Sequence, residues 1–317
     1  MPKVSWLAPT PPSVAIEIAS HRVTVAGLTR TGARPTVSAY ASEPLAGDAV
    51  APAASGTNIP DQAVVADALR RALDRSGLRS TTRAALVVPD SIARVSLLTF
   101  EKLPPKSSEL EQLIRWQVKK STPFPIEEAT VSFFIANVGE AGTTVAAVVA
   151  RRDVIAEYEG VVAAAGIHAG IVDLASFNVL NAVIGGGTES QGDSLVVTLA
   201  AEATSLKILR GRELMFYRHR AAVDEEPLSA LVHQTAMYHE DRLGGTRFGR
   251  VWLSGSAFVG GAEQARRGIS AHLGAPAEIV DVTSTVQFRD PAGAPADVLD
   301  ALAAPIGLLL RERRTVP

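Results

Sequence analysis

Cysteine is absent from the chain, and its absence excludes two classes of protein. Neither a disulfide framework nor a thiolate metal site can form without it. The six histidines do not compensate, because none has the spacing to nearby carboxylates that is typical of a metal site. We therefore predict no metal centre, and the composition is consistent with a reducing cytosol.

Long apolar runs and an excess of positive charge are also missing. No stretch approaches the roughly 20 apolar residues of a membrane span. Pro9, Pro11 and Pro12 interrupt the first apolar run, so we expect no signal peptide there. The net charge of -2, with both signs interspersed, argues against a nucleic-acid partner. We expect no direct membrane insertion, so any membrane role acts through a partner.

Apolar residues make up 47% of the 317 positions, enough for two or three compact units with a sizeable core. The predicted elements repeat, because three strands, a helix and a further strand begin near Val14 and again near Leu195. The first copy is predicted at 13–18, 22–28, 35–41, a helix from Asn58 or Pro60 to 75, and 84–88; the second is predicted at 194–199, 205–209, 213–217, a helix at 226–242, and 250–253.

A helix followed by a rigid exit is predicted within residues 103–131. Its apolar stripe has helical spacing and consists of Leu110, Leu113, Ile114 and Val118. Ser108 and Glu111 have the spacing of a capping box at the helix start. Trp116 lies at the margin of the stripe, and Pro123 and Pro125 force the chain out of the helix in an extended form.

This segment resembles the PilM family of type IV pilus assembly proteins. The resemblance is sharpest in the letters RWQ at 115–117 and PFPIEE at 123–128, and it extends loosely over nearly the whole chain. It implies an α/β protein with the duplicated actin-like, ribonuclease H-like fold, in which two halves face a cleft. The first half would comprise residues 1–175 and 300–317, with a small α/β subdomain inserted at about 90–150, and the second half would comprise 176–299.

The resemblance also indicates where a nucleotide would bind, namely at two strand-to-strand turns. Where pilus homologues have an acid and a glycine at the first turn, this chain has Glu17 and Ala19, followed by Ser20 and His21. Glu17 keeps the charge that organises Mg²⁺ but reaches one methylene further. The alternative interpretation is a salt-bridged or edge-strand acid beside a plain turn.

The second turn departs further from the family's pattern. Thr198 stands at the acid position and Ala200 at the glycine position, with Thr204 following. A neutral hydroxyl supplies no charge to hold a metal or to orient water, so an ordinary hairpin is the alternative interpretation. The nucleoside-side motif is reduced to Gly255 and Ser256, which form either a nucleoside platform or a tight turn.

The resemblance implies a non-catalytic cytoplasmic adaptor, peripheral at the inner membrane, in type IV pilus or related type II secretion assembly. It would bind the cytoplasmic N-terminal peptide of a PilN-like membrane protein and contact the cytoplasmic assembly ATPases, and it leaves homo-oligomerisation open. We expect the peptide at the insert, near Trp116, Phe124, Arg94 and Leu98. The alternative is a nucleotide-binding actin-like ATPase with weak activity, using ATP and Mg²⁺.

Four further expectations concern polar residues. We expect His233, His239 and Glu240 to lie on the surface, because they share a predicted helix without i, i+4 histidine spacing. Glu202 should lie on the second turn and point away from the cleft. The pair at 90–91, Asp-Ser, has no histidine companion that the sequence reveals, and the aspartate at 153 should cap the helix that follows it.

Overall fold

The structure of the chain is a computed structural model that describes residues 12–30, 32, 34–186, 192–222, 227–255, 262–290 and 294–311. Its strands are β1 (Val14–Ile18), β2 (Arg22–Thr29), β3 (Thr36–Pro44), β4 (Arg83–Val88), β5 (Ala93–Phe100), β6 (Ala129–Gly139), β7 (Gly142–Arg151), β8 (His168–Leu174), β9 (Asp193–Leu199), β10 (Ala203–Arg210), β11 (Glu213–Ala221), β12 (Phe248–Ser254), β13 (Ala277–Ile279) and β14 (Gln287–Phe288). Its α-helices are α1 (Gln62–Ser76), α2 (Ser107–Lys119), α3 (Arg152–Ala164), α4 (Ala175–Gly185), α5 (Leu228–Leu243), α6 (Ala262–Leu273) and α7 (Ala296–Leu310).

Two large sheets share one topology. The first has the order β14-β3-β2-β1-β4-β8, and the second has the order β11-β10-β9-β12-β13. In both sheets the first three strands in sequence are antiparallel and the next two join in parallel. The predicted duplication is therefore confirmed, and the architecture is the actin-like α/β fold. The exact residues at which the halves divide stay a prediction.

The central strands of the first sheet are buried on both faces, as their continuous apolar sequences predict. All five residues of β1 are buried, and so are the last five of β4. Helix α7 packs on β1, β2 and α4, so the end of the described chain closes the first half. Gly307 makes this packing close, because a Cβ there would lie 1.8 Å from the Asn178 carbonyl oxygen.

The inserted subdomain has a three-stranded antiparallel sheet in the order β5-β7-β6 and the helix α2 packed on one face. Its core contains the predicted stripe residues Leu110, Ile114 and Val118, together with Phe124 from the proline-rich exit. The opposite face of this sheet contributes Ala136, Ala146 and other small or apolar residues to the main core, and its strands β5 and β6 contact β11 of the second sheet.

Three predicted helix starts were wrong. Helix α1 begins at Gln62, because the Asp61 carboxylate caps it by accepting from the Ala63 backbone N–H at 2.9 Å. Helix α2 begins at Ser107 with Lys106 as its N-cap and has no side-chain cap, so Ser108 falls inside the helix and the capping box does not form.

Asp153 does not cap α3 either, since Arg151 holds the N-cap position. The Asp153 carboxylate instead accepts two hydrogen bonds from the Arg151 guanidinium, at 2.9 and 2.5 Å. The sequence also predicts a helix that starts at Phe258 and a hinge at the glycines that end with Gly187, and both of these residues lie outside the described part of the chain. None of the described helices combines the length and the apolar content that crossing a membrane requires.

Candidate functional site

The two sheets meet at a cleft formed by the carboxyl ends of their parallel strands, where ligands bind in open α/β folds. The cleft is lined by the β1–β2 turn, the β9–β10 turn and the ends of β4 and β12. It encloses a cavity of about 70 Å³. Pockets for cofactor-sized molecules usually measure about 300–1,000 Å³. The space between the two turns is smaller than such a pocket and has room for a few water molecules.

The first turn is closed by a hydrogen bond from the Ala19 backbone N–H to the Arg22 carbonyl oxygen, at 3.0 Å. Glu17 and Arg22 are both buried beneath it, and the Glu17 carboxylate lies 3.1 Å from the Arg22 Nη2. Burial raises the pKa of Glu17 although Arg22 opposes the rise, and the charge of Asp300 adds to it. The salt-bridged interpretation of Glu17 therefore describes this turn.

His21 completes this cluster. Its Nε2 lies 2.8 Å from the Arg22 Nη1, and because a guanidinium can only donate, this imidazole nitrogen accepts. Burial and then the positive charge of Arg22 lower the pKa of His21 to about 4, so the ring is neutral. Arg22 thus binds both Glu17 and His21, which are two of the residues predicted to hold a nucleotide.

The second turn has the same geometry, with a 2.8 Å hydrogen bond from the Ala200 backbone N–H to the Ala203 carbonyl oxygen. By position, Thr198 corresponds to Glu17 and Ala200 to Ala19. Thr198 lines the cavity, and its Oγ1 has no protein hydrogen-bond partner within the described part of the chain. Thr204 lies in β10, paired with Leu199, and takes no part in a charged cluster.

Glu202 corrects one expectation, because its side chain faces the cleft. The Ser20 hydroxyl donates to the Glu202 Oε2 at 2.8 Å, which joins the first turn to the second. Burial raises the pKa of Glu202, the Ser20 hydrogen bond opposes the rise, and the charges of Asp90 and Glu17 add to it. The two turns are thus held together by a bond within the chain.

The end of β12, which the resemblance places beside a nucleoside, also makes its hydrogen bonds within the chain. Gly255 has φ +81°, and a Cβ there would lie 1.8 Å from the Leu199 carbonyl oxygen, so only glycine fits. Its backbone N–H donates to the Asp300 Oδ1 at 2.7 Å, and the Ser254 hydroxyl donates to the same oxygen at 3.0 Å. Ser256, the other residue predicted here, lies outside the described residues.

These residues do not fit ATP and Mg²⁺ as they stand. The acid expected to organise the metal is paired with Arg22, and the N–H expected to face the nucleoside donates to Asp300. No group of three or more histidine, aspartate or glutamate side chains within metal-binding reach occurs among the described residues. A nucleotide would have to displace contacts that the chain makes with itself.

A buried aspartate joins the two halves beside this cavity, and sequence reasoning missed its partners. The Asp90 Oδ1 accepts from the Ser176 backbone N–H at 3.0 Å, and the Oδ2 accepts from the Ser205 hydroxyl at 2.7 Å. The Ser176 hydroxyl also donates to Oδ2. Burial alone would raise the pKa of Asp90, but Lys207 and the Ser176 hydrogen bonds outweigh it and lower the pKa below its ordinary value.

The expectation that the pair at 90–91 lacks a histidine was wrong. His219 of β11 places its Nε2 3.3 Å from the Ser91 Oγ and its Nδ1 3.0 Å from the Ser205 Oγ. The two residues are 128 positions apart, so no local spacing could have revealed the pair. Only the pairing of β10 with β11, which sets Ser205 opposite His219, brings them together.

Lys207 is the most deeply buried charge in this region. It is fully buried in β10, and its Nζ lies 5.5 Å from the Phe177 ring centroid and 5.4 Å from that of Tyr217. Burial lowers the pKa of Lys207 to about 8, against the attraction of Asp90. In the sequence Lys207 stands between Leu206 and Ile208 in a strand that also carries Thr204, Ser205 and Arg210, so nothing local distinguishes it from an ordinary polar residue.

His239 also contradicts its prediction, because it is buried rather than exposed. Its Nε2 lies 2.8 Å from the Asp193 Oδ2, and the same carboxylate binds the Arg210 guanidinium at 2.9 and 2.8 Å. Gly245 leaves the space that the imidazole fills. This cluster ties the start of β9 to the end of α5 and lies outside the cleft.

The residues predicted to bind a partner divide into exposed and buried ones. Trp116 is 63% exposed on α2, and Arg94 is exposed at the start of β5. Leu98 is half-buried against the core of the subdomain, and Phe124 is only 8% exposed within it. Phe124 could therefore affect a partner only through the shape of the subdomain, and its role stays a prediction.

The sequence matches a known protein family, and the structure is similar to solved structures. A family model described as type IV pilus assembly protein PilM matches residues 15–241. The chain is similar to the solved PilM-PilN type IV pilus biogenesis complex, at 17% identity and a TM-score of 0.78, over 95% of this chain and 97% of that one. It is also similar to a Bacteroides thetaiotaomicron protein of actin-like ATPase fold and unknown function, at 10% identity and a TM-score of 0.50, over 91% and 94% of the two chains.

These structural likenesses establish the actin-like fold, and the family match adds the group of proteins. The matched stretch includes both turns of the cleft, the whole inserted subdomain and most of the second sheet. Because the family model spans well over half of the 317 residues, the chain belongs to the PilM family of type IV pilus assembly proteins.

Proposed function

We propose that this chain is an adaptor of type IV pilus assembly that does not hydrolyse nucleotide and that binds the cytoplasmic N-terminal peptide of a PilN-like membrane protein. The observation that carries the first part is the buried pair of Glu17 and Arg22. A carboxylate neutralised by an arginine cannot also organise Mg²⁺, and phosphoryl transfer depends on such positioned charge. The Gly255 backbone N–H, which would otherwise be available to a nucleotide, donates to the Asp300 carboxylate.

The peptide partner is proposed from the related complex of PilM with PilN. We place its site at the outer edge of β5, because among the described residues this strand pairs only with β7. Such an edge can accept an extended peptide as an added strand. Arg94 and Leu98 both lie on β5, so a peptide added at this edge would run past both of them.

Trp116 supplies an exposed aromatic side chain on the same subdomain, and aromatic anchors dominate many binding surfaces. The Pro123-Phe124-Pro125 exit follows α2, and a stiff wall lowers the entropic cost of binding a flexible peptide. The proposed location is cytoplasmic and peripheral at the inner membrane, where contact with cytoplasmic assembly ATPases completes the adaptor role.

The catalytic part is tested by measuring phosphate release with Mg-ATP for the wild type and for Glu17→Ala, with calorimetric titration of ATP and ADP alongside. We expect both proteins to release phosphate at the rate of the buffer blank and to bind either nucleotide weakly. Turnover by the wild type that Glu17→Ala abolishes would overturn the proposal in favour of a working actin-like ATPase. Submicromolar nucleotide binding without turnover would retain the adaptor but return the nucleotide to the cleft.

A further inference from the structure

Four polar side chains form a continuous hydrogen-bonded line along one wall of the cleft. The line starts at the buried Asp90, whose Oδ2 lies 2.7 Å from the Ser205 Oγ. The Ser205 Oγ lies 3.0 Å from the His219 Nδ1, and the His219 Nε2 lies 3.3 Å from the Ser91 Oγ. Ser91 and His219 both line the cavity, so the far end of the line opens onto it.

The chemistry of the groups fixes the direction of every hydrogen bond in the line. An ionised carboxylate can only accept, so Ser205 donates its single proton to Asp90. The Ser205 oxygen must then accept from the His219 Nδ1–H. A neutral imidazole carries one N–H, which leaves Nε2 as an acceptor. The Ser91 hydroxyl therefore donates to the His219 Nε2.

The charges around the line keep these protonation states. The pKa of Asp90 is lowered, as described above, so it stays ionised. Burial lowers the pKa of His219, Asp90 opposes this, and the positive charges of Lys207, Arg94 and Arg220 lower it further. His219 is thus neutral at neutral pH and free to take a proton. A hydroxyl bonded to a base that a third group orients is the arrangement of an activated nucleophile.

We propose that Ser91 is an activated serine that accepts a small acyl group from an ester. The Ser91 Oγ attacks the carbonyl carbon of the ester while its proton moves to the His219 Nε2, which forms an imidazolium and a tetrahedral oxyanion. When the carbon–oxygen bond to the leaving group breaks, the imidazolium returns that proton to the departing alkoxide. The products are an acylated Ser91, a free alcohol and neutral His219, so atoms and charges balance.

The size of the cavity restricts the class of acyl group. A volume of about 70 Å³ accommodates a group of two or three heavy atoms beside Ser91, such as acetyl, and favours it over long or aromatic acyl chains. The leaving group would face the open side of the cleft. The N-terminal end of α4 carries Ser176 at the same cavity, where its backbone N–H and hydroxyl both donate to Asp90 and fix the start of the hydrogen-bonded line.

The test is incubation of the native chain with p-nitrophenyl acetate, followed by peptide mapping of acetylated residues by mass spectrometry. We expect acetyl at Ser91 in the folded wild type and none at this position after urea denaturation. His219→Gln should slow Ser91 acetylation by at least about 100-fold, the usual contribution of a general base. Ser20 is the matched control, because it lines the same cavity but donates to Glu202 and should stay unmodified.

Two further readouts separate a base from a structural contact. Ser205→Ala keeps His219 but releases its Nδ1, so its rate should lie between those of the wild type and His219→Gln. The wild-type rate should level off above the lowered pKa of His219, whereas a rate rising in proportion to hydroxide would overturn the proposal. Absence of acetyl at Ser91 in the folded wild type, or equal acetylation of His219→Gln with an unchanged circular dichroism spectrum, would also overturn it.

Discussion

The central cleft and the inserted subdomain differ in what they leave available to a ligand. In the cleft the groups that could bind a nucleotide contact one another, as Glu17 does Arg22 and Ser20 does Glu202. On the inserted subdomain, Trp116 is 63% exposed and Val138 is equally so, although both are large apolar side chains. The comparison teaches that the polar groups of the cleft are engaged with one another, whereas the inserted subdomain presents exposed apolar side chains on which the proposed peptide site rests.

The two turns of the cleft show the same point at finer scale. Each is closed by a backbone hydrogen bond across four residues, so the two turns share one geometry. Their chemistry differs, because the first carries an acid in Glu17 and the second has the uncharged Thr198 at the corresponding position. Turn geometry depends on strand pairing and small residues, whereas metal binding depends on single side chains.

Among the variants considered, the removal of Arg22 should lower the stability of the protein most. Arg22→Met leaves the buried Glu17 carboxylate without its partner, and we expect the free energy of unfolding at pH 7 to fall by about 3–5 kcal/mol. The deficit should shrink as the pH is lowered, because Glu17 then takes up a proton. Urea denaturation at several pH values measures both effects.

The control for that prediction is Glu17→Gln combined with Arg22→Met, which removes both charges. It should recover most of the lost stability at pH 7, since no buried charge remains. Arg22→Met with wild-type stability at every pH would mean that the ion pair does not hold the cleft together.

Gly255→Ala should destabilise the second half by at least about 1–3 kcal/mol, the range for a strained backbone conformation. The reason is its positive φ and the Leu199 carbonyl oxygen, which would lie 1.8 Å from the new Cβ. Thermal unfolding followed by circular dichroism measures the change. Gly268→Ala is the matched control in the middle of α6, where nothing lies within 4 Å, and it should stabilise by about 0.5–1 kcal/mol. Similar results for both variants would contradict the close approach at the cleft.

Glu202→Gln should leave the free energy of unfolding at low pH nearly unchanged but alter how that free energy varies with pH. The pKa of Glu202 is raised in the folded protein, so the folded state binds this proton more tightly than the unfolded state does. Its contribution to stability is therefore fully present below its unfolded pKa and is lost as the pH rises through the folded value. Relative to the wild type, Glu202→Gln should gain stability as the pH rises through that window.

Glu263→Gln is a comparison variant, because the pKa of Glu263 is lowered in the folded protein whereas that of Glu202 is raised. Hydrogen bonds from Arg266 and then Arg267 lower the pKa of Glu263 to about 2, so any contribution it makes is lost as the pH falls towards that value. Because this carboxylate is exposed, solvent screens the effect and we expect it to be small. A Glu202→Gln profile parallel to that of the wild type would show that Glu202 is not held in the cleft.

The sequence was sufficient for the fold because the information was regular. Apolar strands such as β4 and the repeated order of elements predict the two sheets without reference to distant contacts. Helix starts were less predictable, since Ser108 and Asp61 are both capping residue types and only the backbone decides which one caps. Ser108 and Glu111 have the spacing of a capping box, but the helix begins before Ser108 and no capping box forms.

The site was predictable only where its residues are neighbours in the chain. Glu17, Ala19 and Ser20 could be named because one turn holds them. Ser91 and His219 could not be connected, since their contact requires two halves that are separate in sequence. Residues of the second half that face the first, such as Lys207, resemble ordinary polar residues until the pairing of β10 and β11 is known.

Binding of the N-terminal peptide of a PilN-like partner tests the central claim most directly. A labelled peptide is titrated by fluorescence into the wild type, Trp116→Ala and Val64→Ala, with circular dichroism as the folding control. Val64 is the matched control because it is 46% exposed on α1, away from the inserted subdomain. We predict that Trp116→Ala weakens binding by about tenfold or more while Val64→Ala leaves it unchanged. Wild-type affinity in a folded Trp116→Ala variant would contradict the claim that recognition lies on the inserted subdomain.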